Sequence, residues 1–375
     1  MTVRHRAPCV LTFAAIALAA ACSKPSGPAV IALHTTSAVP GMLAMEDVAR
    51  SRKPGDVEIT SIVPPPSQIG GLRRTVRDAT VLATTPDVVG VVGPMSSRDA
   101  LLAAPVYNDS AIVELVPNAT SRRMRDVGPW TFVLAPDDSI EGAFIGRLLV
   151  HLGARRVTIV YSADEYGAGI MAGAAQALRE RGVSIVDQVA TYTNANCLQA
   201  SAPNPLEDQL DVSMRRGTPD AVVLAQRQAN AACSIRALRP RAPHLRYVGA
   251  DGVVATPELI AASGAGADSL YLVTFWVPDT ARAVERDFVT RFRARAGIAP
   301  DVGDALAYDA TMTLAAAVRA AGTDRARVRD WLTSLGRRHP ALEGVTGPIS
   351  FAPGRRPPLV AARLRGGRLE RVSVP

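Results

Sequence analysis

Two neighbouring stretches decide the fold: Val88-Val89-Gly90-Val91-Val92-Gly93-Pro94-Met95-Ser96-Ser97 and Ala111-Ile112-Val113-Glu114-Leu115-Val116-Pro117-Asn118-Ala119-Thr120. Each is a short apolar run that stops abruptly in small polar residues. A continuous β-branched run is what a parallel strand buried on both faces requires. Ser96 and Ser97 then stand where the next helix, roughly Asp99 to Tyr107, begins. Unpaired backbone N–H groups point outward at such a terminus, which suits an anionic group. Asn118 and Thr120 close the second strand at the same edge of the sheet, and open α/β sheets bind ligands beyond the carboxyl ends of their strands. The pattern therefore predicts a small-molecule cradle. A plainer reading stands beside it, with Ser96 and Ser97 as a helix cap and Pro117 to Thr120 as an ordinary turn.

Strand and helix patterns alternate outward from this point. Val30–His34, Val57–Val63, Phe132–Leu134, Val157–Tyr161, Val183–Val189, Ala221–Ala225 and Tyr247–Gly249 read as strands. Helical spacing separates them, as in Asp138–Leu152 with Ile140, Phe144, Leu148 and Leu149 on one side. Alternation of this kind predicts right-handed βαβ units and doubly wound parallel sheets, here in two successive series and so in two lobes. After a strand at Leu270–Phe275 the helices Ala281–Ala296, Asp304–Ala321 and Arg325–Leu335 follow one another. Consecutive helices cannot extend a parallel sheet, so they are expected to return to the first lobe. The hairpin Val360–Leu364 and Leu369–Val374 closes the chain. The expected division is 29–136 plus 275–340 for the N-terminal lobe and 137–274 plus 341–375 for the C-terminal lobe, joined by a hinge with a cleft between them.

The chain of 375 residues opens with Arg4 and Arg6, an apolar run Ala7–Leu18, and Ala19-Ala20-Ala21-Cys22. This is the layout of an export signal over residues 1–21. It resembles a bacterial lipobox, which implies lipidation at Cys22, a short tether over 22–28 and attachment to the cell membrane from outside. The apolar run is too short for a lasting membrane span. Cys9 leaves with the signal, so Cys197 and Cys233 remain as an even pair in an oxidising compartment and are candidates for a disulfide. Net charge is +8, but the basic residues are scattered among acids and aromatics make up only 5% of the chain, which argues against a nucleic-acid partner.

Gly93-Pro94-Met95-Ser96-Ser97, Ala104-Pro105-Val106-Tyr107-Asn108 and Val116-Pro117-Asn118-Ala119-Thr120-Ser121 closely resemble the type I periplasmic binding proteins. The closest group is the branched-chain amino acid (Leu/Ile/Val) and related amide or urea receptors of ABC importers. Pro136-Asp137-Asp138, Asp164-Glu165-Tyr166-Gly167-Ala168-Gly169, Ala307-Tyr308-Asp309-Ala310 and Gly344-Val345-Thr346-Gly347 look like further landmarks of that family. The resemblance implies an amino acid or similar small polar solute held between the lobes and passed to ABC permease subunits, without cofactor or metal. Ser97 then matches the serine that receives a ligand carboxylate, beside Ser96. Asn118 and Thr120 match contacts after the second strand, and Tyr166 an aromatic that closes over the ligand. Asp251 matches the acid that takes an α-ammonium group, and Gln226 a variable contact from the second lobe. Trp276 reads as packing near the hinge. Relatives carry a longer segment after the first strand than His34-Thr35-Thr36-Ser37-Ala38-Val39-Pro40-Gly41, so the cleft is expected to be more open or shaped for another ligand.

An enzyme is not indicated. The five histidines are widely separated, and neither a Gly-x-Ser-x-Gly elbow nor a Gly-x-x-x-x-Gly-Lys phosphate loop is present. Asp137-Asp138 and Asp164-Glu165 read as helix-start acids favoured by the dipole. Two alternatives to an importer's receptor share the same fold: a ligand sensor with no transporter, and a scaffold lipoprotein that binds nothing.

Overall fold

The computed structural model describes residues 28–374, apart from 36–37, 66–69, 193–195, 200 and 356. The export signal, the tether as far as residue 27, Cys22, and part of the segment after the first strand lie outside the described residues. The chain runs β1 (Ala29–Leu33), α1 (Val39–Arg50), β2 (Ile59–Ile62), α2 (Gly71–Thr84), β3 (Val88–Val92), α3 (Ser97–Asp109), β4 (Val113–Val116) and β5 (Thr131–Val133). It crosses to α4 (Asp138–His151), β6 (Arg156–Ser162), α5 (Glu165–Arg179), β7 (Ser184–Thr191), α6 (Glu207–Arg216) and β8 (Ala221–Ala225). Then come α7 (Gln228–Leu238), β9 (Arg246–Gly249), α8 (Pro257–Ser263) and β10 (Leu270–Thr274). It returns through α9 (Ala283–Ala296), α10 (Val302–Ala321), α11 (Arg325–Ser334), β11 (Leu342–Gly344) and β12 (Gly347–Ile349), and ends with β13 (Val360–Arg365) and β14 (Arg368–Val372).

Two large sheets result, one per lobe, and β11 pairs with β12 in a separate two-stranded ribbon. The first is wholly parallel in the order β2-β1-β3-β4-β5, so β3 and β4, which carry the two deciding stretches, lie side by side. The second has the order β14-β13-β10-β9-β8-β6-β7, parallel except for the antiparallel hairpin β13–β14 at one edge. Strands β3 and β4 are buried along their whole length, as their valine- and leucine-rich runs favour, although β4 carries Glu114 among them. Gly93, which ends β3, has φ +97°, and a Cβ there would lie 2.3 Å from the carbonyl oxygen of His34. Only glycine lets the chain leave the sheet at that angle.

The successive helices α9–α11 do return to the first lobe. Phe288, Phe292, Tyr308, Leu314 and Leu332 share one core with Ile31, Leu33 and Val92 of its sheet. The second lobe has its own core around Val160, Leu224, Ile235 and Tyr247. One expectation is corrected. The boundary at 340/341 falls too early, because Val345 and Ile349 pack in the first-lobe core. The Asp309 carboxylate also accepts the backbone N–H groups of Val345 at 2.8 Å and Thr346 at 2.7 Å. The crossing lies further on, near Leu359, which packs against the cores of both lobes. Arg355 clamps this crossing to the earlier one by donating to the carbonyls of Val133, Leu134 and Ala135.

Cys197 and Cys233 form a disulfide with Cα atoms 5.3 Å apart, tying the segment after β7 to α7. Helices α4 and α5 cross at very short range: a Cβ at Gly142 would lie 2.6 Å from the carbonyl oxygen of Ile170. That contact fixes the N-terminal turn of α4 where the lobes meet. No helix among the described residues is long and apolar enough to cross a membrane.

Glu114 is the one charged residue in a strand of the first sheet that is fully buried. Its Oε2 accepts the Thr131 hydroxyl at 2.8 Å while Oε1 has no partner, and burial pushes its carboxyl up to about 8. The unfolded chain ionises this group near pH 4.5, so between there and pH 8 the folded state holds the extra proton. Stability from this group is therefore full below pH 4.5 and falls as pH rises towards 8. Glu114→Gln keeps the hydrogen bond and removes the titration. Thermal unfolding at pH 5 and pH 8 should show the variant gaining on the natural chain by on the order of a few kcal/mol at the higher pH.

Candidate functional site

Strands β3 and β4 lead into the turns that carry Ser97 and Thr120, and just beyond them Ser121 and Arg123 reach Glu165 at the start of α5 in the other lobe. Ser96 caps α3, its hydroxyl bonded to Asp99 at 2.7 Å and accepting the Asp99 N–H at 3.2 Å. Ser97 is buried, and its Oγ accepts the backbone N–H groups of Thr120 at 3.1 Å and Ser121 at 3.2 Å. The two deciding stretches are thus joined through one hydroxyl, whose own hydrogen stays free to donate. Thr120 hydrogen-bonds Asp138 across the first crossing, and its carbonyl accepts the Asp138 N–H at 2.8 Å. The Asn118 Oδ1 is buried with no hydrogen-bond partner.

On the second lobe, Tyr166 in the first turn of α5 donates its hydroxyl to Asp251 Oδ1 at 2.9 Å and accepts the Gly252 N–H at 2.9 Å. Glu141 reaches the same turn after β9, where its Oε1 accepts the Asp251 N–H at 2.7 Å. Asp138, Glu141 and Asp251 are all buried. Burial pushes the Asp138 carboxyl up to about 7, with the neighbouring charges of Asp251, Glu165 and Asp164 adding to the rise. Burial and the adjacent Asp251 hold Glu141 well above the usual carboxylate range. Asp251 is raised by burial too, opposed by its hydrogen bonds to Tyr166 and Glu141. The outer acids are compensated instead: Arg227 pairs with Asp164 and stacks over the Tyr166 ring, and Arg123 pairs with Glu165 at 3.5 Å.

Asp251 also lines a cavity of about 470 Å³ between the lobes, within the size range of small-molecule sites. The second lobe contributes Val253, Thr256 and Leu272, and the first lobe contributes Trp276, Pro300 and Val302. The Trp276 indole is fixed by an Nε1–H bond to Glu285 at 3.0 Å and by its edge contact with Phe288.

Among the sequence-predicted residues, Asp251 lines this cavity and Tyr166 holds it in place. Ser97 and Thr120 sit together in the first-lobe turn, and Ser96 faces a separate groove beside His34 and Arg74. Gln226 is a correction. It is fully buried within the second lobe, donating to Thr191 at 3.1 Å and accepting from Ser234 at 2.9 Å, so its amide is already satisfied away from the cleft. Trp276 packs in the first-lobe core as expected and also forms part of the cavity wall. Asp137 and Asp164 are helix caps as expected. Asp138 and Glu141 were not legible as site residues, because the groups that bury them come from distant parts of the chain.

The Periplasmic binding protein family profile matches residues 73–362, and the chain belongs to that family. An amino acid binding protein of Pseudomonas aeruginosa is 25% identical over 270 residues, covering 70% of this chain and 68% of its own. A Leu/Ile/Val-binding protein homologue of Brucella melitensis is 24% identical over 236 residues, and the match spans 62% of this chain and 60% of that protein. Among solved structures, the Thermotoga maritima leucine binding protein superposes with a TM-score of 0.77 at 20% identity, over 92% of this chain and 98% of that one. A Rhodopseudomonas palustris solute binding protein in complex with benzoate gives 0.74 at 18% identity, over 93% and 96%. The fold is thus the two-lobed type I periplasmic binding fold.

Replacing Tyr166 with Phe removes one hydroxyl that serves both Asp251 and the Gly252 N–H, so two hydrogen bonds that pin the turn after β9 to α5 are lost. Urea unfolding should show a loss of about 1–3 kcal/mol, with the fold retained by circular dichroism.

Proposed function

We propose that the chain is an extracytoplasmic solute receptor, anchored by lipid at Cys22, that captures a small polar solute of the amino acid or amide kind. It presents that solute to the permease subunits of an ABC importer. The observation that carries this reading is the cavity walled by both lobes, with an acid from one and an indole from the other. A solute there touches both lobes only when they are shut, so binding shifts the population towards the closed form. Asp251 takes an ammonium or amide N–H group, because a charge-assisted hydrogen bond to a buried carboxylate is among the stronger contacts available. Trp276, Leu272 and Val302 receive the apolar remainder. Relatives named as amino acid and Leu/Ile/Val-binding proteins support a solute receptor over a scaffold that binds nothing. No catalytic role is proposed, in keeping with a family of binding proteins.

A thermal-shift screen of amino acids, short amides, amines, urea and aromatic acids tests this. A solute present at a hundred times its Kd should raise stability by about 2.7 kcal/mol. One compound class should produce the shift, and Asp251→Asn should abolish it without unfolding the protein. No shift across the panel by a well-folded chain would contradict the proposal.

A further inference from the structure

The interlobe cavity has a one-sided charge. Asp251, Glu258 and Asp301 line it, and no lysine, arginine or histidine does among the described residues. The rest of its wall is apolar apart from Thr256 and Thr274. The donors that would suit a carboxylate lie elsewhere: Ser97 accepts from the Thr120 and Ser121 N–H groups, Thr120 bonds to Asp138, and neither lines the cavity.

Behind Asp251 lies a second, independent sign. Asp138 and Glu141 are 1% and 0% exposed, yet Asp138 Oδ1 and Glu141 Oε2 have no hydrogen-bond partner. Three buried carboxyls thus converge on the turn after β9. The groups facing them are Thr120 from the first lobe, Glu165 and Tyr166 of α5 with Asp164 before it, and Arg227 after β8. Arg227 is the one cation of that set, and its guanidinium is spent on Asp164 at the protein surface. A buried acid cluster without an internal cation is stabilised by a positive charge brought from outside, and it repels a negative one.

This inference rests on the solute-receptor reading and narrows its ligand. We propose that the cavity takes a small apolar amine carrying no carboxylate, its ammonium group on Asp251 and its hydrocarbon body against Trp276, Leu272 and Val302. An amino acid entering the same cavity would bury its carboxylate beside three acids with no cation to receive it, a desolvation penalty that the amine does not meet. The bound cation also favours the ionised forms of Asp251 and its neighbours. Since the Asp138 carboxyl stands near 7 by burial, binding releases protons around neutral pH, and amine affinity rises with pH from 6 to 8.

Three probes of matched shape separate the possibilities: 3-methylbutan-1-amine, leucine, and 4-methylpentanoate, which lacks the amino group. Isothermal titration of the purified full-length chain at pH 6, 7 and 8 is expected to show the amine binding at least tenfold more tightly than leucine. The acid should not bind, and the amine's affinity should climb with pH. Repeating the amine titration in buffers of different ionisation enthalpy should reveal the released protons, and Asp251→Asn should weaken the amine at least tenfold. Binding of leucine as tight as that of the amine, or any binding of 4-methylpentanoate, overturns the amine assignment and leaves the solute-receptor reading in place. Failure of all three probes on folded protein overturns the amine assignment; the solute-receptor reading falls with it only if the wider screen also yields no ligand.

Discussion

The constraint on which the site depends is the contact between Glu141 and the turn carrying Asp251, residues 110 apart in the chain. Glu141 sits in the first turns of α4, just after the chain first crosses between lobes, and accepts the Asp251 N–H. Tyr166 reaches the same turn from α5 and completes the link through its hydroxyl. For these atoms to meet, α4 and α5 must lie almost backbone to backbone, which the absent side chain of Gly142 permits. The acid that faces the cavity is therefore positioned by the helix that starts at the hinge.

The electrostatics follow from this geometry. A carboxyl moved out of water favours its neutral form unless a cation or several donors replace the lost hydration. Asp309 shows the alternative inside the same molecule: it is fully buried but accepts the Val345 and Thr346 N–H groups and the Thr346 hydroxyl at 2.6 Å. Its carboxyl is raised only to about 6. Asp138 and Glu141 lack so complete a donor set, and each keeps an orphaned oxygen. Asp309 is thus satisfied by the chain, whereas Asp138 and Glu141 at the seam, like Glu114 inside the first sheet, are not.

Much of the fold was legible in the sequence because buried parallel strands write themselves as unbroken apolar runs. Val88–Val92 and Ala221–Ala225 were placed to the residue, and the return of α9–α11 followed from helices that had no strands between them. What escaped was short or mixed in pattern. Helix α8 has only seven residues, and β11 and β12 have three each around a tight turn, too few to show a period. That small hairpin is also what displaced the predicted lobe boundary. At the site, Asp251 and Tyr166 were reached through family resemblance. Asp138 looked like a dipole-favoured helix start, because nothing local reveals that Thr120 and the turn after β9 will bury it. Gln226 misled for the converse reason: its partners Thr191 and Ser234 lie inside its own lobe, and no spacing in the chain announces them.

The central claim is that the seam holds carboxyls with no internal counter-charge, and carboxyl titration tests it most directly. In side-chain carbon NMR spectra of the ligand-free chain, assigned with Asp138→Asn and Asp251→Asn, the Asp138 carboxyl should titrate near pH 7, with Glu141 and Asp251 also above the ordinary carboxylate range. Ordinary titration of all three, near or below pH 4.5, would show that the cluster is hydrated or compensated, and the electrostatic basis for the site would fail.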